Sequence, residues 1–136
     1  MSQEIGFEVR LDLPYEEAVE KVIAALKEEG FGVLTRIDVR ATLKEKLGED
    51  FRPYVILGAC NPPLAHRALS QDAVVGLMLP CNVTVEQDPG GGSTVRIANP
   101  EMMMTVGTLQ ENPALLEVAK LAKDKLERVA ESLLED

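Results

Sequence analysis

The chain of 136 residues has the length of one typical domain, and its composition excludes several classes of protein. With 46% hydrophobic residues, 4% aromatic residues and no Trp, it has a globular balance and a core that must be built from aliphatic side chains and Met. Its formal net charge of −9 argues against nucleic acid or an anionic membrane surface as a partner. We therefore expect one acidic domain over residues 1–136, without a nucleic-acid or membrane partner.

The N-terminal segment has neither the basic region nor the apolar region of a secretory signal. No apolar run approaches the ~20 residues that a membrane span needs. These features predict a cytoplasmic protein. In that compartment we expect the two cysteines to be free thiols and not a disulfide bridge.

The first part of the chain predicts two strands that alternate with two helices. Residues 4–11 alternate apolar and polar side chains, which is typical of a half-buried strand. A helix with one apolar face begins at Pro14 and ends at Gly30, where a left-handed residue closes it. Residues 31–37 are predicted as a second strand, and Asp38 is expected to cap a short helix that ends at Gly48.

The second part predicts three further strands and two helices. Residues 54–59 form a nearly all-apolar third strand, and Asn61 with two following prolines begins a helix of about two turns. Residues 88–92 predict a turn into a strand over residues 94–98. Asn112 with Pro113 begins a final amphipathic helix. A fourth strand is predicted from side chains that share one face: Leu77, Leu79, Cys81, Val83 and Val85.

Strands and helices do not alternate regularly, and a hairpin lies in the middle of the chain. This order predicts an α+β fold in which helices pack on an antiparallel or mixed sheet. Pro80 cannot donate a hydrogen bond to a neighbouring strand. We therefore expect the fourth strand to be an edge strand or to carry a bulge just before Cys81.

Three segments carry a family resemblance: GFGVLT at residues 30–35 leading to Ile37-Asp38, LGACNP at residues 57–62, and GLMLPCNV at residues 76–83. In this order and spacing they resemble the bacterial and archaeal family called domain of unknown function 302. The resemblance implies β-α-β order, further strands and a long C-terminal helix, similar to TATA-binding-protein-like domains. It also implies a homodimer. It implies neither nucleic-acid binding nor a catalytic residue, because fold similarity does not transfer function.

Two Cys-Asn dipeptides are the strongest candidate site residues. Cys60-Asn61 ends the third strand, and Cys81-Asn82 lies in the fourth. If these strands are neighbours, the two sulfurs could approach each other. We predict a homodimeric binding module with a small apolar pocket rimmed by these four residues, in which the asparagine amides supply polar contacts. Asp38, at a strand end between apolar residues, is a further candidate, although capping a helix is the better explanation of its position.

Two alternatives use the same residues. Two thiols and His66 offer soft ligands or redox chemistry, so a thiol- or soft-metal-dependent enzyme or sensor is one alternative. Three ligands are too few for structural zinc unless a dimer completes the site. The other alternative is an interaction protein in which Cys60 and Cys81 are inert core residues. The sequence identifies no substrate, reaction or cofactor.

Two other patterns invite a functional interpretation. The run of Met102, Met103 and Met104 offers thioether ligands for copper(I), but in a strand at most two of them share a face, and we expect packing. The glycines at residues 90–92 lack the following Lys and helix of a phosphate-binding loop. We interpret them as a hairpin tip.

Overall fold

The computed structural model describes residues 4–135, so residues 1–3 and 136 of the predicted domain lie outside the described residues. Five strands and five helices follow one another in the order β1 Gly6–Leu11, α1 Tyr15–Glu28, β2 Gly32–Asp38, α2 Val39–Leu47, β3 Tyr54–Cys60, α3 Pro62–Gln71, β4 Cys81–Gln87, β5 Ser93–Ala98, α4 Pro100–Met103 and α5 Pro113–Leu133. Two 3₁₀ helices, Ala73–Met78 and Gly107–Glu111, precede β4 and α5. Among residues 4–135, no helix is both long and apolar enough to cross a membrane.

The five strands form one sheet in the order β1-β5-β4-β3-β2, and every neighbouring pair is antiparallel. The helices α1 and α5 pack on one face of this sheet. The sequence prediction of an α+β fold with an antiparallel sheet is therefore confirmed.

The main core lies between the sheet and these two helices. In the central strands, cross-strand pairs such as Leu57–Val83 and Val85–Val95 point toward the helices and are fully buried. The C-terminal half of α5 covers them with Leu126, Val129 and Leu133. This is the period-2 pattern of the strands meeting the helical stripe that the sequence predicts for the final helix.

The end of α1 follows the predicted left-handed closure. Gly30 has a φ of 86°. Its N–H donates to the carbonyl of Lys27 at 3.0 Å, and the N–H of Phe31 donates to the carbonyl of Leu26 at 2.9 Å. These two hydrogen bonds form a Schellman motif, and Phe31 and Leu26 are both buried in the main core. The motif fixes where the chain enters β2.

The predicted fourth strand is wrong at its start. Residues 73–78 form a 3₁₀ helix that Asp72 caps by accepting a hydrogen bond from the N–H of Val74 at 3.0 Å. Leu77 is 84% exposed, so its apolar character does not mark a buried strand face. The strand begins only at Cys81. A local side-chain cap therefore overrides the alternating pattern.

The structural interpretation of Pro80 is also wrong. The strand β4 lies between β3 and β5 and is not an edge strand. Pro80 precedes its first residue, where a missing N–H costs no ladder hydrogen bond, and the Leu79–Pro80 peptide bond is cis. The register shift lies in β2 instead: Val33 pairs with Ala59 and Thr35 with Gly58, which leaves Leu34 as the extra residue of a bulge.

Candidate ligand-binding cavity

A second cluster of apolar side chains lies beside the main core, between α3, α4 and the N-terminal half of α5. Its buried members are Leu64, Ala68, Val75, Met104, Leu109, Leu115, Val118, Ala119 and Ala122. This second cluster borders a cavity of about 290 Å³ that is partly open to solvent at Leu34 and Leu69. Engineered cavities of about 150 Å³ with apolar walls stay dry and hold a benzene molecule. The cavity is therefore large enough for one small organic molecule.

Three Asn-Pro sequences position the helices around this cavity. The side chains of Asn61, Asn99 and Asn112 each accept hydrogen bonds from backbone N–H groups in the first turns of α3, α4 and α5. The proline that follows each asparagine has the φ that a first helical turn needs. Two of these signals, at Asn61 and Asn112, were predicted from the sequence; Asn99-Pro100, which begins α4, was not.

Asn61 lies in the cavity wall, but both of its polar atoms are engaged. It is 8% exposed, and its Oδ1 accepts a hydrogen bond from the N–H of Leu64 at 3.3 Å. Its Nδ2 donates to the carbonyl of Glu29 at 3.4 Å and lies against Gly30, where a Cβ would come within 3.1 Å. Asn61 therefore ties the end of α1 to the start of α3, and its amide is committed to the fold.

A close approach at Gly58 positions the segment that leads into β4. A Cβ on Gly58 would lie 2.8 Å from Cγ of Pro80 and would also collide with the hydroxyl of Thr35. Because Gly58 has no side chain, the proline ring lies directly against β3. This contact holds Leu79, Pro80 and Cys81 at the cavity, and all three residues line it.

The two cysteines line the same cavity, and β3 and β4 are neighbours, with Cys81 opposite Ala59. Both are free thiols, Cys60 half-buried and Cys81 buried. Burial raises the pKa of the Cys81 thiol from 9.0 to about 11, and the neighbouring Cys60 adds to the increase. Since the thiolate is the reactive form of cysteine, Cys81 is a weak nucleophile at neutral pH.

The structure does not bring the other candidate residues to this cavity. Asn82 is exposed on the opposite face of the sheet, because neighbouring residues in a strand point to opposite faces. Asp38 is exposed at the far end of β2, where it caps α2 by accepting from the N–H of Ala41 at 2.9 Å. His66 is exposed on α3. In residues 4–135, no three His, Cys, Asp or Glu side chains are placed to hold a metal ion.

Methionines are the cavity residues that the sequence analysis missed. Met78, Met103 and Met104 line the cavity together with Cys60 and Cys81. They reach it from a 3₁₀ helix and from a short helix, not from a strand as the sequence analysis assumed for residues 102–104. The Asn99-Pro100 cap was the available signal for that helix.

Comparison with known proteins agrees with this fold. The family model described as "Domain of unknown function DUF302" matches residues 7–133. The chain belongs to the DUF302 family. It is also similar to the crystal structure of an uncharacterized conserved DUF302 protein from Bacillus stearothermophilus, with 34% sequence identity and a TM-score of 0.82. That similarity covers 93% of this chain and 96% of the other. Among curated proteins, none matches the chain.

Proposed function

We propose that this DUF302 chain is a binding module whose cavity takes one small, neutral and mainly apolar molecule. The observation that supports the proposal is the chemistry of the wall: among residues 4–135, no charged side chain lines the cavity, and the one side-chain amide there, that of Asn61, is engaged in the fold. Ligand cavities are typically concave and mostly apolar, with volumes from about 300 Å³ upward. A volume of about 290 Å³ is at the small end of that range.

Energetics favour an occupant over an empty space. Side chains that border a void lose the dispersion contacts that a neighbour would provide, and cavities in cores destabilise proteins in proportion to their volume. Water is a poor substitute, because a water molecule needs two to four polar partners. An apolar ligand would restore the missing contacts of Leu64, Val118 and Ala119 without leaving a polar group unpaired.

The alternative of a thiol- or soft-metal-dependent enzyme or sensor has less support. Its best argument is that sulfur ligands suit copper(I), and both cysteines lie at the cavity. However, Cys81 has a pKa raised to about 11, so binding a metal there would first require removal of a firmly held proton. His66, the third ligand of that hypothesis, is exposed and does not line the cavity.

We also propose that the chain acts as a homodimer, as the family resemblance suggests. Leu34 and Ile37 on the edge strand β2 are 67% and 47% exposed, and Leu69 at the cavity is 43% exposed. Edge strands and exposed apolar patches are common interaction surfaces. A second copy over Leu34 and Leu69 would also cover the cavity entrance.

Light scattering tests the dimer proposal. It should give twice the chain mass for the native protein and the chain mass for a Leu34→Lys variant. A native monomer at micromolar concentration would contradict the proposal.

The binding proposal is tested with the neutral fluorescent probe N-phenyl-1-naphthylamine. We expect its fluorescence to rise with one-site saturation in the native protein. The variant Ala119→Leu should abolish that rise because it fills the cavity, and Ala65→Leu provides a second filling variant if the first is poorly folded. Ala24→Leu, on the exposed face of α1, is the matched control and should bind as the native protein does. Equal binding by all four proteins would contradict the proposal.

A further inference from the structure

The cavity wall is unusually rich in sulfur. Five sulfur-bearing side chains line it: Met78, Met103, Met104, Cys60 and Cys81. They come from the 3₁₀ helix, from α4 and the residue after it, and from the adjoining ends of β3 and β4. Within residues 4–135, Met102 is the sulfur-bearing residue that does not line the cavity. The fold therefore gathers sulfur at one place from segments that are distant in sequence.

Sulfur atoms at a cavity wall make contacts that hydrocarbon walls do not. The thioether is polarizable and interacts favourably with aromatic rings, commonly at the ring edge and about 5 Å away. Each such contact strengthens binding by roughly two- to tenfold over an equivalent aliphatic contact. Met is also unbranched and has three rotatable bonds, so it can adjust to a planar ring.

The cavity lacks the groups that would hold a charged or strongly polar ligand. In the part of the chain that the structure describes, residues 4–135, Phe31 is the only aromatic side chain in the wall, and no Arg, Lys, His, Asp or Glu lines it. The amide of Asn61 already bonds to Leu64 and Glu29. A carboxylate or ammonium group buried here would have no partner, and an unpaired buried charge is strongly unfavourable.

We propose that the cavity is selective for neutral aromatic molecules, whose ring is held by the methionine and cysteine sulfurs, over saturated molecules of the same shape and over charged aromatic ones. This inference rests on the proposed binding function and names its ligand class. The supporting observation is that five sulfur-bearing side chains line the cavity.

Toluene and methylcyclohexane are a matched pair for the test, because they have similar size and shape and differ in the aromatic ring. Dissociation constants for both are measured by NMR titration of the native protein and of the Met78→Leu/Met103→Leu double variant. Met→Leu substitutions nearly conserve volume and are usually tolerated. Differences in water solubility between the two compounds are the same for both proteins and cancel when the two affinity ratios are compared.

We expect the preference for toluene over methylcyclohexane to fall by about fivefold or more in the double variant. Met102→Leu is the matched control and should leave the preference unchanged. If the double variant unfolds at too low a temperature, the single variant Met103→Leu replaces it. Its expected effect on the preference is about half as large on a logarithmic scale. Benzoate at neutral pH should not bind where toluene saturates.

The outcomes separate this inference from the proposed function. If both compounds bind but the preference is the same in the native protein and the double variant, the cavity binds apolar molecules without aromatic selectivity and the inference is wrong. Tight binding of benzoate would also overturn it. If neither toluene nor methylcyclohexane binds the native protein, the proposed function itself fails.

Discussion

The main core and the second cluster are built on the same helix and differ in how well they are filled. The C-terminal half of α5 packs Leu126 and Val129 against the sheet, and both are fully buried. The N-terminal half places Leu115 and Ala119 around a cavity of about 290 Å³. The sheet thus fixes one half of the helix and allows the other half to border an open space. Stability is concentrated in one cluster, and the proposed binding in the other.

The main core and the second cluster also differ in the types of residue that they contain. The main core consists largely of Val and Leu, and its many β-branched Val side chains are restricted in rotation about χ1. The second cluster contains small Ala side chains and flexible Met. The closely packed main core specifies the fold. In the second cluster, small Ala side chains leave space, and flexible Met side chains can adjust to a molecule in that space. Four predictions test this difference between the two clusters.

The largest effect is expected from shortening one leucine in each cluster. Leu57→Ala in the main core should lower the free energy of unfolding by about 4 kcal/mol, because a fully buried side chain leaves a new cavity. Leu64→Ala should lower it by about 2 kcal/mol, because Leu64 already borders open space. Urea denaturation measures both values. Equal losses would mean that the second cluster is packed as tightly as the main core.

The contact between Gly58 and Pro80 positions the segment that leads into β4. Gly58→Ala should lower the free energy of unfolding by about 2 kcal/mol, because the new Cβ collides with the Pro80 ring and with Thr35. Gly32→Ala is the matched control in the neighbouring strand, since its Cβ would meet nothing within 4 Å, and it should change stability by less than about 0.5 kcal/mol. Similar losses in the two variants would argue against the close approach.

Asn61 is expected to stabilise the fold and not to hydrogen-bond a ligand. Asn61→Ala should cost about 1.5 kcal/mol, because it removes the cap of α3 and the hydrogen bond to Glu29. Asn82→Ala, on the exposed face of the sheet, should leave stability and probe binding unchanged. A loss of probe binding in Asn82→Ala would show that Asn82 does contribute to the binding site.

The smallest effect is expected in the pH dependence of stability. The pKa of Cys81 is 9.0 in the unfolded chain and about 11 in the folded protein. Because the folded pKa is higher, the stabilisation is complete below pH 9 and is lost as the pH rises toward 11. Between pH 8 and pH 10 the native protein should lose about 1 kcal/mol more than Cys81→Ala. Denaturant titrations at both pH values test this, and parallel losses would show that Cys81 is not buried.

Sequence reasoning succeeded where local chemistry determines structure. The caps at Asn61 and Asn112, the left-handed Gly30, the nearly all-apolar strand at residues 54–59 and the hairpin strand at residues 94–98 each have a local physical cause, and all were predicted. It failed at residues 77–79, where alternating apolar residues belong to a 3₁₀ helix and a proline segment.

The cavity could be predicted only in part. Cys60 and Asn61 were identified at a strand end that was located correctly, and Cys81 was identified although the predicted strand around it began too early. Asn82 was assigned to the same pocket, although strand alternation turns it to the other face. The methionines were missed because Met78 and Met103 meet only through tertiary packing. No periodic pattern in the sequence indicates that these two side chains lie close together.

The central claim is that the second cluster holds an apolar ligand, and methionine methyl NMR tests it most directly. Protein labelled with ¹³C at the methionine ε-methyl groups is titrated with toluene. We expect large, saturable shifts for Met78, Met103 and Met104, with at most a small shift for Met102, which does not line the cavity. Unchanged signals from Met78, Met102, Met103 and Met104, or a shift confined to Met102, would contradict the proposed binding.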